Sequence, residues 1–129
     1  MIVADSSIWI AALRGDSSPT IAHFTVASQD GNLIVGDVIL LEVLQGARSD
    51  AHAALLERAM RRHRVLSFLD GNIPAKAAAN YRALRERGMT VKKTVDLVIA
   101  TYCLENNHIL LHHDRDYTHF TRHLGLRVP

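Results

Sequence analysis

The stretch TVDLVIATYCLENNHILLHHD, residues 94–114, predicts a helix, a buried strand and an acidic side chain in direct succession. Thr94 is a good N-cap residue for the helix. Apolar side chains then recur with the spacing of one helical face, at Val95, Val98, Ile99, Tyr102 and Cys103. The HILL tetrapeptide that follows indicates a short buried strand, and Asp114 stands where that strand would leave the core. A helix that leads into an apolar strand is typical of a parallel α/β sheet.

The same alternation of short apolar runs and helical segments extends along the whole chain. Predicted strands cover residues 2–4, 33–35, 65–69 and 108–111, with 126–128 as a candidate fifth strand. Predicted helices cover residues 8–14, 19–28, 38–47, 51–62, 74–87, 95–107 and 116–125. The apolar run VILLEVL within the third helix would also suit a strand. The pattern predicts one domain, residues 1–129, with a three-layer α/β/α architecture around a short parallel sheet.

Small polar residues mark the starts of several predicted helices. Ser6 or Ser7 can cap the first helix, and Asp37 can cap the third. Pro19 fits the first turn of the second helix, because the N–H that proline lacks is not needed there. Gly15 is a suitable stop for the first helix.

Length and composition describe one globular domain. The chain has 129 residues, 48% of them hydrophobic and 22% charged, which suits a packed core and excludes a disordered chain. The net charge of +2 is only a weak indication of an anionic partner. A single cysteine, Cys103, allows no disulfide within the chain and is predicted to be buried. With no secretory signal and no apolar run long enough for a membrane span, we expect a cytoplasmic protein without membrane contact.

Four aspartates lie at predicted strand ends or helix starts, and each has a simple structural explanation. Asp5 follows the first strand and Asp114 and Asp116 follow the fourth, so each could cap the helix after it. Asp96 lies in the first turn of a helix, where the helix dipole stabilises negative charge. Ser6 and Ser7 could cap the first helix in place of Asp5, and one aspartate suffices for the last, so capping leaves some of these acids unexplained.

Glu42 is harder to explain structurally. It lies within VILLEVL, so a helix there would be apolar around nearly its whole circumference and Glu42 would be largely buried. A buried carboxylate is costly without a partner. That partner is either an arginine, such as Arg48 or Arg14, or a metal ion shared with other carboxylates.

The predicted topology brings these acids together. Carboxyl ends of parallel strands meet at one edge of the sheet, so Asp5 and Asp114 share that edge. The helix carrying Asp96 begins there, and Glu42 lies about one turn into the helix after the second strand. Carboxylates packed this closely repel one another, and a hard divalent cation such as Mg²⁺ or Mn²⁺ relieves that repulsion.

Four motifs, VADSSIWI, LLEV, TVDLVIA and HHDRDY, give the chain a resemblance that covers nearly its full length. In this order and spacing they resemble the PIN-domain ribonucleases, and among them the VapC toxins of toxin–antitoxin pairs. Ser6 stands where the family often has threonine, and Tyr117 where it often has phenylalanine. Neither departure is expected to touch the metal chemistry.

The resemblance implies metal-dependent hydrolysis of RNA phosphodiester bonds. It makes Asp5, Glu42, Asp96 and Asp114 the acidic quartet, Asp116 a frequent fifth member and Ser7 a small hydroxyl residue near the metal. Three aspartates are expected to hold Mg²⁺ or Mn²⁺: Asp5, Asp96 and Asp114. Glu42 and Asp116 are expected to serve a second metal or to orient water, with the choice between one metal and two left open.

RNA binding requires positive charge around such an acidic pocket. The candidates are Arg14, Lys92, Lys93 and Arg115, together with Arg48. Lys92 and Lys93 directly precede the Asp96 helix and are expected to flank the site. For each of these residues a solvated surface charge is the simpler alternative. The eight histidines lack the paired spacing of a zinc site.

The VapC resemblance also implies partners. It predicts a homodimer and a small VapB-like antitoxin that covers apolar surface near the IWIAAL segment and inserts a basic side chain, most suitably arginine, among Asp5, Glu42 and Asp96. Two other functions remain open: a non-catalytic PIN-like binding module and an aspartate-based phosphatase on a similar sheet. The first would be expected to have lost acidic ligands, and the second wants an Asp-x-Asp pair where this chain has Asp5-Ser6-Ser7.

Overall fold

A computed structural model describes residues 1–129 as four parallel strands and seven α-helices. The strands are β1 (Ile2–Ala4), β2 (Leu33–Gly36), β3 (Arg64–Leu66) and β4 (Ile109–Leu111). The helices are α1 (Ser6–Leu13), α2 (Pro19–Gln29), α3 (Asp37–Gln45), α4 (Asp50–Met60), α5 (Ile73–Glu86), α6 (Thr94–Asn106) and α7 (Thr118–Leu124). A 3₁₀ turn, Arg115–Tyr117, precedes α7. None of the helices is both long and apolar enough to cross a membrane.

All strand pairs are parallel, and their order across the sheet is β3-β2-β1-β4. Ala4 at the end of β1 pairs with Leu111 at the end of β4. The backbone N–H of Asp5 continues the ladder by donating to the carbonyl of Leu111 at 3.0 Å. The first and last strands of the sequence therefore end side by side, as the predicted parallel sheet required.

Helices cover both faces of the sheet. Neighbouring side chains in a strand point to opposite faces, and Ile34 and Val35 in β2 are both almost fully buried. A single core of 28 buried residues joins the sheet to the helices. Trp9 and Cys103 are both buried in it, and the burial of Cys103 was predicted. The predicted α/β class and layer arrangement are confirmed.

The start of α3 and the end of β3 both differ from the prediction. Asp37 is the first residue of α3, not the residue before it, and its Oδ1 accepts from the N–H groups of Val38 at 2.8 Å and Phe68 at 3.1 Å. β3 ends at Leu66, opposite Gly36 at the end of its partner β2, and not at Leu69 as predicted. Phe68 turns inward and is fully buried.

Other predicted boundaries also need correction. Thr94 is the first residue of α6 and caps nothing, while neither Ser6 nor Ser7 caps α1, whose N-cap is Asp5. The candidate fifth strand is reduced to one bridge between Ile109 and Arg127. The predicted terminal helix divides into the 3₁₀ turn and α7.

The VILLEVL run is helical, as predicted, but it is less buried than its composition suggested. Leu41 is 60% exposed, and Glu42 is half-buried. Only one side of α3, formed by Ile39, Leu40 and Val43, faces the core. Glu42 therefore lies at the boundary between core and solvent, where its carboxylate can reach a ligand.

Gly36 is required at the junction of β2 and α3 because of space. A Cβ at this position would lie 2.6–2.8 Å from three ring atoms of Phe68, whose ring is stacked on Tyr102. We expect Gly36→Ala to lower the free energy of unfolding by about 1–3 kcal/mol, as other overpacked cores do. Gly46→Ala is the matched control, since its nearest contacts would be backbone oxygens at 3.7 and 3.9 Å.

Urea unfolding of the wild type and both variants measures this difference. Gly46→Ala should leave the free energy of unfolding within about 1 kcal/mol of the wild type. Equal stability of Gly36→Ala and wild type would show that Phe68 can move aside, against the close packing described here.

Candidate metal centre

Asp5 is presented at the carboxyl edge of the sheet by the end of β1. Its backbone is extended, and its carbonyl accepts the first helical hydrogen bonds of α1, from the N–H groups of Ile8 and Trp9. The side chain is 5% exposed. Oδ2 accepts from the Ser7 hydroxyl at 3.4 Å, while the buried Oδ1 has no hydrogen-bond partner.

Asp96 reaches the same place from the first turn of α6 and is 4% exposed. Its Oδ1 accepts from the Tyr117 hydroxyl at 3.3 Å. Its Oδ2 is buried without a partner. A buried polar atom that lacks a hydrogen bond needs an explanation, and a metal ligand is one.

Asp114 and Asp116 come from the segment that leaves β4. Asp114 Oδ1 caps the 3₁₀ turn by accepting from the Asp116 N–H at 2.9 Å, and the Asp114 N–H donates to His112 Nδ1 at 3.2 Å. One potential ligand atom from each of Asp96, Asp114 and Asp116 lies within 4.8 Å of the other two. Three carboxylates thus meet in a space suited to one cation.

Glu42 completes a wholly polar pocket of about 570 Å³. It is supplied by α3, and its Oε1 is buried without a partner. The pocket is lined by Asp5, Ser6, Ser7, Glu42, Lys93, Asp96, His113, Asp114, Arg115 and Asp116, with no apolar residue. All five acids predicted from the sequence are therefore brought together.

The electrostatics of this pocket oppose ionisation of Asp5, Glu42 and Asp96. Burial raises the pKa of Asp5 above its ordinary value. Burial, and then the charge of Asp5, raise the pKa of Glu42 and bring that of Asp96 to about 6. Lys93 acts in the opposite direction on both. The pocket thus holds more negative charge than Lys93 and Arg115 can balance.

These residues fit a divalent cation. Three carboxylate oxygens in the pocket are buried and unpartnered: Asp5 Oδ1, Glu42 Oε1 and Asp96 Oδ2. Hard cations such as Mg²⁺ and Mn²⁺ prefer carboxylate oxygen, and a cation would both satisfy these atoms and offset the repulsion among them. The pocket is open enough to leave room for water and for a phosphate group.

The predicted basic residues divide into two groups. Lys93 and Arg115 line the acidic pocket, and exposed Lys92 adjoins it in the sequence. Arg14 forms an ion pair with Asp16 and, with Arg48, lines a different groove. Neither of these arginines is among the residues that line the pocket with Glu42, so the structural explanation of Glu42 as their ion-pair partner is not supported.

One functional contact was missed. The Tyr117 departure from the family pattern was expected to be irrelevant to the metal site, but its hydroxyl bonds Asp96 directly. Burial raises the pKa of the Tyr117 phenol, so it keeps its proton and acts as the donor. The only signal in the sequence was the hydroxyl itself, one residue after Asp116.

The PIN domain family model matches residues 2–122. The chain belongs to the PIN-domain family. The match includes all five acids of the pocket, and it confirms the resemblance carried by the four sequence motifs.

Individual relatives match almost the whole length of this chain. The VapC ribonuclease Mb1587 of Mycobacterium bovis is 28% identical over 131 residues, covering 99% of this chain and 97% of the relative. Ribonuclease VapC11 of Mycobacterium tuberculosis matches with the same values.

Solved structures share the fold. VapBC2 from Rickettsia felis, bound to a DNA fragment from its promoter, has a TM-score of 0.78 at 14% identity, covering 100% of this chain and 98% of the matched one. DNA-bound VapBC from Salmonella typhimurium has a TM-score of 0.76 at 19% identity, covering 99% and 96%.

Asp96 makes the metal-free protein sensitive to pH in a defined direction. Its pKa in the folded state, about 6, lies above the ordinary 3.8, so the folded state binds the proton more tightly than the unfolded chain. Its contribution to stability is therefore greatest below that ordinary value and is lost as pH rises through about 6. We expect Asp96→Asn, in chelator, to be more stable than the wild type above this pH, by on the order of 1 kcal/mol after solvent screening.

Thermal or urea unfolding in EDTA across this pH range measures the effect. The stability gain should shrink as pH falls through about 6 and should vanish only below 3.8, where Asp96 is protonated in both the folded and the unfolded state. Asp30→Asn, an exposed aspartate outside the pocket, should show no such trend. A gain for Asp96→Asn that is independent of pH would contradict the electrostatic origin.

Proposed function

We propose that this protein is a metal-dependent endoribonuclease that acts in the cytoplasm as the toxin of a type II toxin–antitoxin pair. The observation that carries the proposal is the set of three buried, unpartnered carboxylate oxygens in one polar pocket. Relatives named VapC ribonuclease along the full chain support the activity, and the VapBC neighbours support the pairing.

Asp5, Asp96 and Asp114 would hold Mg²⁺ or Mn²⁺. Asp96 and Asp114 belong, with Asp116, to the group whose ligand atoms lie within 4.8 Å of one another, and Asp5 adds a buried, unpartnered oxygen. When bound, such a cation supplies a nucleophilic water near neutral pH and stabilises negative charge on the phosphoryl oxygens. Glu42 and Asp116 lie beside these ligands. Their carboxylates would orient the attacking water and accept its proton, a role for which the raised pKa of Glu42 is suited.

The RNA backbone would enter the pocket between Lys93 and Arg115. Both side chains line the pocket among its carboxylates, so they can contact the phosphates flanking the scissile bond. Such contacts bind RNA without choosing a sequence. Lys92 would extend this positive surface, whereas Arg14 would contact RNA only if the strand also crosses the neighbouring groove.

The two alternative functions fit the pocket less well. A non-catalytic binding module has no need of five acids around unpartnered oxygens, whose mutual repulsion lowers stability. An aspartate-based phosphatase would place a second aspartate two residues after the first, and that position is Ser7. Ser7 instead donates to Asp5 Oδ2 at 3.4 Å.

Asparagine variants test the nuclease proposal. We expect Asp5→Asn and Asp96→Asn each to lower RNA cleavage at least about 100-fold, because the amide keeps the shape of the side chain but loses the charge that holds the cation. Asp30→Asn, remote from the pocket, should cleave like the wild type. Cleavage of a structured RNA is followed with Mg²⁺, with Mn²⁺ and with EDTA. Mn²⁺ should raise the Tm of the wild type and of Asp30→Asn more than that of either pocket variant.

Cleavage that persists in both pocket variants, purified free of other nucleases, would disprove the metal-site assignment. Cleavage unaffected by EDTA would exclude the metal-dependent mechanism. Sequencing the ends of RNA cut after brief expression would then identify the substrate.

The antitoxin is proposed to bind a separate groove of about 370 Å³ between α1, α3 and α4. Its apolar lining includes Ile10 and Leu13, which are 44% and 39% exposed. Arg14, Arg48 and His52 also line it. An amphipathic helix with acidic flanks would fit this surface, and an adjoining arginine would enter the carboxylate pocket.

The toxin itself is proposed to be a homodimer.

Ile10→Lys tests the groove while leaving the carboxylates intact. Placing a charge in the apolar lining should weaken binding of the small protein encoded beside this one at least tenfold, while RNA cleavage by the free toxin is unchanged. Val26→Lys, on α2 and 56% exposed outside the groove, is the control. Titration calorimetry of the purified pair measures both, and equal affinity for the two variants would place the antitoxin elsewhere.

A further inference from the structure

We propose that Tyr117 is a positioning residue of the metal centre, whose hydroxyl holds one oxygen of Asp96 so that the other stays directed at a divalent cation. The proposal rests on the metal-dependent function proposed above. It concerns a residue that would otherwise be regarded as part of the apolar core.

The geometry gives the two oxygens of Asp96 different roles. Oδ1 accepts from the Tyr117 hydroxyl at 3.3 Å, and Oδ2 is buried without any partner. Tyr117 is fully buried and Asp96 is 4% exposed, so water does not compete freely for this bond. With Oδ1 held, rotation of the carboxylate is restricted and Oδ2 is the oxygen left to bind a cation.

The same division is found at Asp5, and one oxygen of Asp114 is held by a hydrogen bond as well. Asp5 Oδ2 accepts from the Ser7 hydroxyl at 3.4 Å and leaves Oδ1 unpartnered. Asp114 Oδ1 accepts from the Asp116 N–H at 2.9 Å. These two donors lie two residues from their acceptors, whereas Tyr117 lies 21 residues from Asp96. Of these three donors, only Tyr117 links the segment after β4 to α6 through a hydrogen bond.

Packing alone does not account for the hydroxyl. The Tyr117 ring lies 4.7 Å from the His112 ring and 6.4 Å from the Phe120 ring, contacts that phenylalanine would also make. A buried phenol needs an acceptor, and the one it has is a carboxylate of the pocket. Partners that orient metal ligands in this way commonly change metal affinity by about 10–100-fold when removed.

Two substitutions separate the hydroxyl from the ring. Tyr117→Phe removes only the hydroxyl, and Tyr117→Leu removes both. Tyr102→Phe is the matched control, because Tyr102 stacks on Phe68 with ring centroids 3.8 Å apart and does not line the pocket. Mn²⁺ is titrated into each metal-free protein, and the free ion is counted by electron paramagnetic resonance.

If the hydroxyl positions Asp96, Tyr117→Phe and Tyr117→Leu should both bind Mn²⁺ about tenfold more weakly than wild type, and Tyr102→Phe should match wild type. In cleavage assays the loss should appear as a higher half-saturating Mn²⁺ concentration, with the KM for RNA unchanged. Near-UV circular dichroism and Tm in EDTA establish that each variant is folded.

Wild-type affinity in Tyr117→Phe, with weakened binding only in Tyr117→Leu, would show that ring packing is what matters and would overturn the proposal. Weakened binding that merely follows a lost near-UV signal would overturn it as well. A wild type that binds no Mn²⁺ would disprove the metal-dependent function itself. The Mn²⁺ titration of the wild type alone distinguishes that result from a failure of the Tyr117 proposal.

Discussion

Parallel pairing of β1 with β4 is the contact on which the rest of the molecule depends. It aligns Val3 with Leu110 and Ala4 with Leu111, and the Asp5 N–H continues the ladder to the Leu111 carbonyl. Both strands are too short to be stable alone, so their burial between helix layers holds the pair together. Because both run in one direction, the acids that follow them emerge together, and charge repulsion is concentrated at a single edge.

Because the charge repulsion is concentrated at one edge, the core and the pocket affect the stability of the fold in opposite ways. Buried side chains such as Trp9, Ile39 and Leu110 supply the stability, and the carboxylates reduce it wherever they are ionised without a cation. The pocket contains no apolar residue, although it lies directly beside the core. A site of this kind is stable because the repulsion is confined to one end of a well-packed sheet.

Much of this arrangement was predictable, because apolar runs followed by an acid locate strand ends and parallel topology places those ends together. The alternation of strands and helices, the helical state of VILLEVL and the meeting of Asp5, Glu42, Asp96 and Asp114 all follow from such local patterns. What could not be predicted depends on contacts between distant residues. β3 ends where its partner β2 ends, Arg14 lies at the end of α1 away from Asp5, and the Tyr117 hydroxyl donates to an acid 21 residues earlier.

The position of β1 in the middle of the sheet also has a consequence for synthesis. Both neighbours of this strand come later in the chain, and β4 is not complete until residue 111. Asp5 and Asp114 can come together only after all the residues between them have been synthesised. Contacts between such distant segments form slowly during folding. A growing chain that has not yet reached β4 and the segment after it therefore lacks the assembled carboxylate pocket.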